Sequence, residues 1–135
     1  MLERLSFGEP RRIAKESEEP HWPAFDNAAK AVFSSDRRSI LRILHAQDQP
    51  IAIDSLSSLV GEYRLKGKLA SSSLFALLKE LDQSALVKRD GGQYSITDEG
   101  RDFLAAYDRI REALAERYHV AMRQKAQELF PTIDK

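Results

Sequence analysis

The side chains in this sequence best suited to chemistry are cations and hydroxyls, set in short clusters. Arg37 and Arg38 are adjacent, Arg64, Lys66 and Lys68 alternate along one stretch, Ser71 and Ser72 open a run of three serines, Lys79 follows, and Lys88 and Arg89 are again adjacent. Lysine and arginine supply phosphate contacts, serine hydroxyls bond phosphate or base edges, and small side chains allow close approach to a duplex. Each cation read alone is equally well a solvated surface side chain, and the serines equally well a helix start, where serine is favoured over a helix interior.

Other chemistries find little support. The chain has no cysteine, which excludes disulfides, thiolate metal sites and cysteine nucleophiles. His21, His45 and His119 are far apart, with no carboxylate spacing typical of a metal site, so surface or partly buried histidine is the expected role and no metal or cofactor is assigned. The stretch from Gly61 to Lys68 fails as a phosphate-binding loop. Its glycines are one residue too far apart, and Leu69 stands where a magnesium-binding hydroxyl belongs. No Ser, His, Asp arrangement can be defended, so the chain is not expected to be an enzyme. Twenty-one Lys and Arg balance twenty-one Asp and Glu, so any polyanion contact must be local. Apolar stretches are too short for a membrane span, and the charged first thirty residues do not suit a secretory signal. The cytoplasm is the expected compartment.

Local patterns predict the elements that would carry these side chains. Residues 1–25 read as an N-terminal arm, charge-dense between Pro10 and Pro20 and pinned by Trp22 and Phe25. Asp26 is the expected N-cap of a short helix through Ala28, Ala29, Val32 and Phe33. A second helix starts at Ser35 and buries Ile40, Leu41, Ile43 and Leu44 up to about Ala46. Ile51-Ala52-Ile53-Asp54 reads as a short extended entry, with Asp54 capping a small helix through Leu56, Leu59 and Val60 that Gly61 stops.

If the next helix is continuous from about Lys68, Leu74, Leu77, Leu78 and Leu81 face the core. The opposite side carries Lys68, Ser72, Ala76 and Lys79, with Ser71 and Phe75 on the flanks. Leu86–Arg89 and Gln93–Ile96 alternate as strands around Gly91-Gly92, a hairpin with Lys88 and Arg89 expected at its tip. Thr97 then caps a long helix that runs to about Leu129 before Pro131.

Helix, short strand, helix, helix, hairpin, helix is the order of a winged helix-turn-helix, a mainly α fold with a small β-hairpin wing. The segment LFALLKELDQSALVKRDGGQYSITDEGRDFL resembles the recognition helix, wing and following helix of small prokaryotic winged-helix regulators of the MarR and PadR types. The segment SSDRRSILRILHAQDQPIAIDSLSSLV is similar to their first two helices. The likeness covers about residues 34–120 and is nearest to small archaeal-type proteins that dimerise through a long C-terminal coiled-coil helix. It implies a homodimeric regulator that reads double-stranded DNA with its third helix and wing. The division expected is an arm over 1–25, a winged-helix domain over 26–97 and a dimerisation helix over 98–130. Residues 36–97 hold nine Lys or Arg against seven Asp or Glu, a local excess of +2 in the part expected to touch DNA.

In the long helix, Phe103, Leu104 and Tyr107 are expected against the domain. Ile110, Leu114, Tyr118 and Ala121 continue the stripe beyond it. They would line a helix pair between two chains or fold back on Trp22 and Phe25 of their own arm. The other functional class that fits is a winged helix used for protein interaction within a larger assembly.

Overall fold

The computed structural model describes residues 9–13, 15, 22–64 and 66–131; most of the expected arm lies outside them. Helix α1 spans Pro23–Phe33. It starts three residues before the expected cap: Pro23 takes the first position, where its missing N–H leaves nothing unpaired, and the Trp22 carbonyl accepts from Asp26 N at 2.8 Å. Asp26 is therefore a first-turn carboxylate rather than the cap. Ala28, Ala31 and Val32 are buried, while Phe33 stays exposed with its edge against Tyr107.

Helix α2, Ser35–His45, follows after Ser34 and buries Ile40, Leu41, Ile43 and Leu44, as the apolar spacing predicts. Strand β1 is Ile51–Ala52 and leads directly into α3, Ile53–Tyr63. Two expectations fail in α3. Ala52, not Asp54, is the capping residue, and Gly61 does not end the helix. A Cβ at Gly61 would lie 2.7 Å from Lys68 Cγ, so glycine is there to let the outgoing connector cross the helix. Lys68 belongs to that connector, because α4 begins only at Ser71 and runs to Gln83.

Helix α4 buries Leu74, Leu78 and Leu81 and closes in a left-handed turn at Ala85, φ 62°. Leu86 N donates to Leu81 O and Ala85 N to Asp82 O, both at 3.0 Å, which satisfies two carbonyls at the helix end in the Schellman pattern. Strands β2, Val87–Asp90, and β3, Gln93–Ile96, form the hairpin. Gly91 and Gly92 at its turn have φ of 59° and 81°, the positive pair that a two-residue type I′ loop requires. β3 lies between β1 and β2, antiparallel to both.

Thr97 then caps α5, Asp98–Leu129, accepting from Gly100 N at 3.0 Å and donating to the Ala85 carbonyl at 2.7 Å. One core runs from Ala28 to Leu104 through all of these elements. The protein is thus mainly helical, with a three-stranded antiparallel sheet, in winged helix-turn-helix topology with α1 added before it and a long α5 after it. At 32 residues α5 is about 48 Å long, and only its first turns are buried. Among the described residues no helix is long and apolar enough to cross a membrane.

Candidate nucleic-acid interface

The outward side of α4 follows from helical periodicity. With Leu74, Leu78 and Leu81 turned inward, Ser71, Ser72, Ala76 and Lys79 are exposed. Serines at 71 and 72 occupy the first turn, where no side chain caps the free N–H groups. Helix α4 also carries Glu80 and Asp82, which oppose approach to phosphate. The Arg37 guanidinium grips the Glu80 carboxylate, with Nε donating at 2.7 Å and Nη2 closer still, while its Nη1 donates to Ser34 Oγ at 3.0 Å. Arg37 therefore neutralises an acid on α4 and ties α2 to it.

Arg38 and Arg64 are likewise held by the protein itself. Arg38 Nη1 donates to Val32 O at 3.1 Å, and its guanidinium lies 4.2 Å from the Tyr107 ring centre. Arg64 donates from Nε to Asp36 at 3.1 Å and from Nη1 to Gly67 O at 2.7 Å, with its side chain only 10% exposed. Together with Lys66 and Tyr63, these two arginines line a cavity of about 590 Å³ between the start of α2 and the end of α3. Arg37 and Arg38, at the start of α2, thus both have protein partners.

The wing separates its two cations. Lys88 and Arg89 lie within strand β2, paired with Ser95 and Tyr94, and the tip is Gly91-Gly92, contrary to the expected tip placement. Adjacent strand residues point to opposite faces. Lys88 faces a cleft shared with Ser95, Asp98 and Glu99. Arg89 faces a cleft of about 360 Å³ between β2 and α4, shared with Phe75, Lys79 and Asp82. The structure thus brings Arg89 to α4 and takes Lys88 away from it.

Two further residues matter that the sequence did not single out as a pair. Arg42 of α2 donates to both carboxylate oxygens of Asp108 of α5, at 3.1 and 2.5 Å. That hydrogen bonding holds the Asp108 carboxyl below its ordinary pKa and raises the guanidinium. Nothing local signals the pair, because the partners are separated by most of the domain.

Beyond Asp108, Ile110, Leu114 and Tyr118 are 43, 49 and 61% exposed, and Ala121 and Met122 are exposed with them. The aromatic pad reaches only part of the helix: Trp22 meets Phe25 edge-on at 5.4 Å, and Phe25 meets Phe103 at 5.3 Å. Among the described residues it does not cover Ile110 or anything beyond.

The chain is similar in structure to the homodimeric winged helix-turn-helix DNA-binding domain of a possible ArsR-family transcriptional regulator from Mycobacterium bovis. That likeness has 19% identity and a TM-score of 0.46, and covers 70% of this chain and 81% of the other. A MarR-family transcriptional regulator from Rhodococcus sp. RHA1 is similar at 23% identity and a TM-score of 0.42, covering 81% of this chain and 87% of that one. No protein-family model and no curated protein matches the sequence.

Proposed function

We propose that the chain is a homodimeric DNA-binding transcriptional regulator that lays α4 in the major groove, with Arg89 of the wing on the flanking backbone. The observation that carries this reading is the outward face of α4. Ser71, Ser72, Ala76 and Lys79 are small, hydroxylated or cationic and all exposed, while the nearby Glu80 is occupied by Arg37. Small side chains let the helix seat against base edges, and Lys66, Lys68 and Lys79 supply phosphate contacts around it. The stripe Ile110, Leu114, Tyr118 and Ala121 supplies the dimer contact, because two half-sites are read by two recognition helices on one two-fold axis.

The test is selection of the full chain on random duplexes at low salt, with sequencing of the retained pool. Enrichment of an inverted repeat supports both DNA reading and two-fold symmetry. Ser72→Glu then abolishes retention with helicity unchanged, since it sets a carboxylate against phosphates and base acceptors. Retention of no duplex at low salt, alongside salt-insensitive association with a protein, refutes the reading in favour of a protein-interaction module.

A further inference from the structure

The cleft between α4 and β2 has a composition that phosphate contact alone does not explain. Part of its lining is apolar: Leu78 and Tyr94 are buried there, and Phe75 lines the same cleft with 52% of its surface exposed. Its rim carries Lys79 and Arg89 on two different elements, against the single carboxylate of Asp82. Phe75 is not among the buried residues of the core. The ring is about half-exposed on the outward side of the helix assigned to the groove, so an apolar group that approaches there has an aromatic face to meet.

Of the groups a B-form major groove displays, one is apolar, the C5-methyl of thymine, and aromatic side chains recognise it by contact. The neighbouring sugar-phosphate carries the negative charge that a cationic rim takes.

Resting on the DNA reading above, we propose that this cleft is a thymine-reading subsite. Phe75 packs on the C5-methyl of a thymine in each half-site, and Lys79 and Arg89 hold the adjacent phosphate. The subsite confers preference for an A·T pair at that step, a specificity that the serines of α4 and Lys79 do not supply by themselves.

The experiment uses the full chain and the duplex enriched by selection, with each thymine of a half-site replaced in turn by deoxyuridine, which removes the methyl and leaves pairing unchanged. At one thymine per half-site the replacement weakens wild-type binding about fourfold, the worth of one buried methyl group. Phe75→Ala binds both duplexes equally and keeps the helicity of the wild type, whereas Phe75→Leu keeps part of the difference. An enriched sequence without thymine, equal binding of both duplexes by the wild type, or a methyl effect that survives in Phe75→Ala overturns the subsite while leaving groove binding standing. Failure to retain any duplex overturns both.

Discussion

Gly100 in the first turn of α5 lies so close to Leu86 that a Cβ on it would sit 2.3 Å from the Leu86 carbonyl oxygen and 2.7 Å from Ile96 Cγ1. The same carbonyl accepts from Thr97 N at 3.1 Å, so the residue that leads into β2 and the start of α5 meet at one backbone oxygen. That convergence sets the direction in which the long helix leaves the wing.

Gly100→Ala forces either the carbonyl or the helix to move, and neither is a flexible side-chain end. Overpacking of this kind costs about 2 kcal/mol, a fall of roughly 10 °C in Tm for a core of this size. Thermal unfolding followed by circular dichroism measures it. An unchanged Tm would show that α5 can pivot freely on the wing.

The Arg42–Asp108 pair gives a pH-dependent contribution whose sign is fixed by the lowered carboxyl pKa. Stability from the pair is fully present above the unfolded carboxylate value near 3.8 and is lost as pH falls below it toward the folded value. Both side chains are part-exposed, so the contribution is under about 1 kcal/mol. Asp108→Asn therefore unfolds slightly earlier than wild type from pH 7 down to 5. The difference closes as the pH falls below about 4, which paired melting curves would show.

The two faces of β2 predict unequal roles for adjacent cations. Arg89→Ala weakens DNA binding and reduces its salt slope by about one unit, because Arg89 shares the cleft with Lys79 on α4. Lys88→Ala, turned toward Asp98 and Glu99, changes the slope by much less. Filter binding across a salt series separates the two, and equal effects would mean that the wing twists on binding.

Leu114→Asp places a charge in the middle of the proposed helix pair, a penalty of several kcal/mol that both chains of a symmetric dimer incur. Light scattering should give twice the 15.3 kDa chain mass for the wild type and the single-chain mass for the variant. Helicity is retained, because Phe103, Leu104 and Tyr107 still dock the base of α5. Affinity for a two-half-site duplex falls far more than affinity for random duplex, since the second contact loses its effective concentration. A wild-type mass of one chain refutes the pairing.

The elements that could be read directly from the residues are those with local causes. Gly91-Gly92 requires positive φ, Thr97 supplies a side-chain acceptor three residues before Gly100 N, and the apolar spacing of α2 and α4 has the helical period; all of these act within a few residues. Glycine looks like a helix breaker by the same local logic, and there it misled at Gly61. Its actual reason is a Lys68 side chain on another segment. Arg37, Arg38, Arg64 and Lys79 are alike as letters. Only the folded chain gives Arg37 to Glu80, Arg38 to Tyr107 and Arg64 to Asp36, and so leaves Lys79 facing outward. The amino-acid order alone determined which elements form and which stripe of each is apolar, because those follow from backbone geometry and hydrophobic period. Tertiary structure alone decided which cations remain available to a ligand, because ion pairs and close backbone approaches join residues that no local pattern relates.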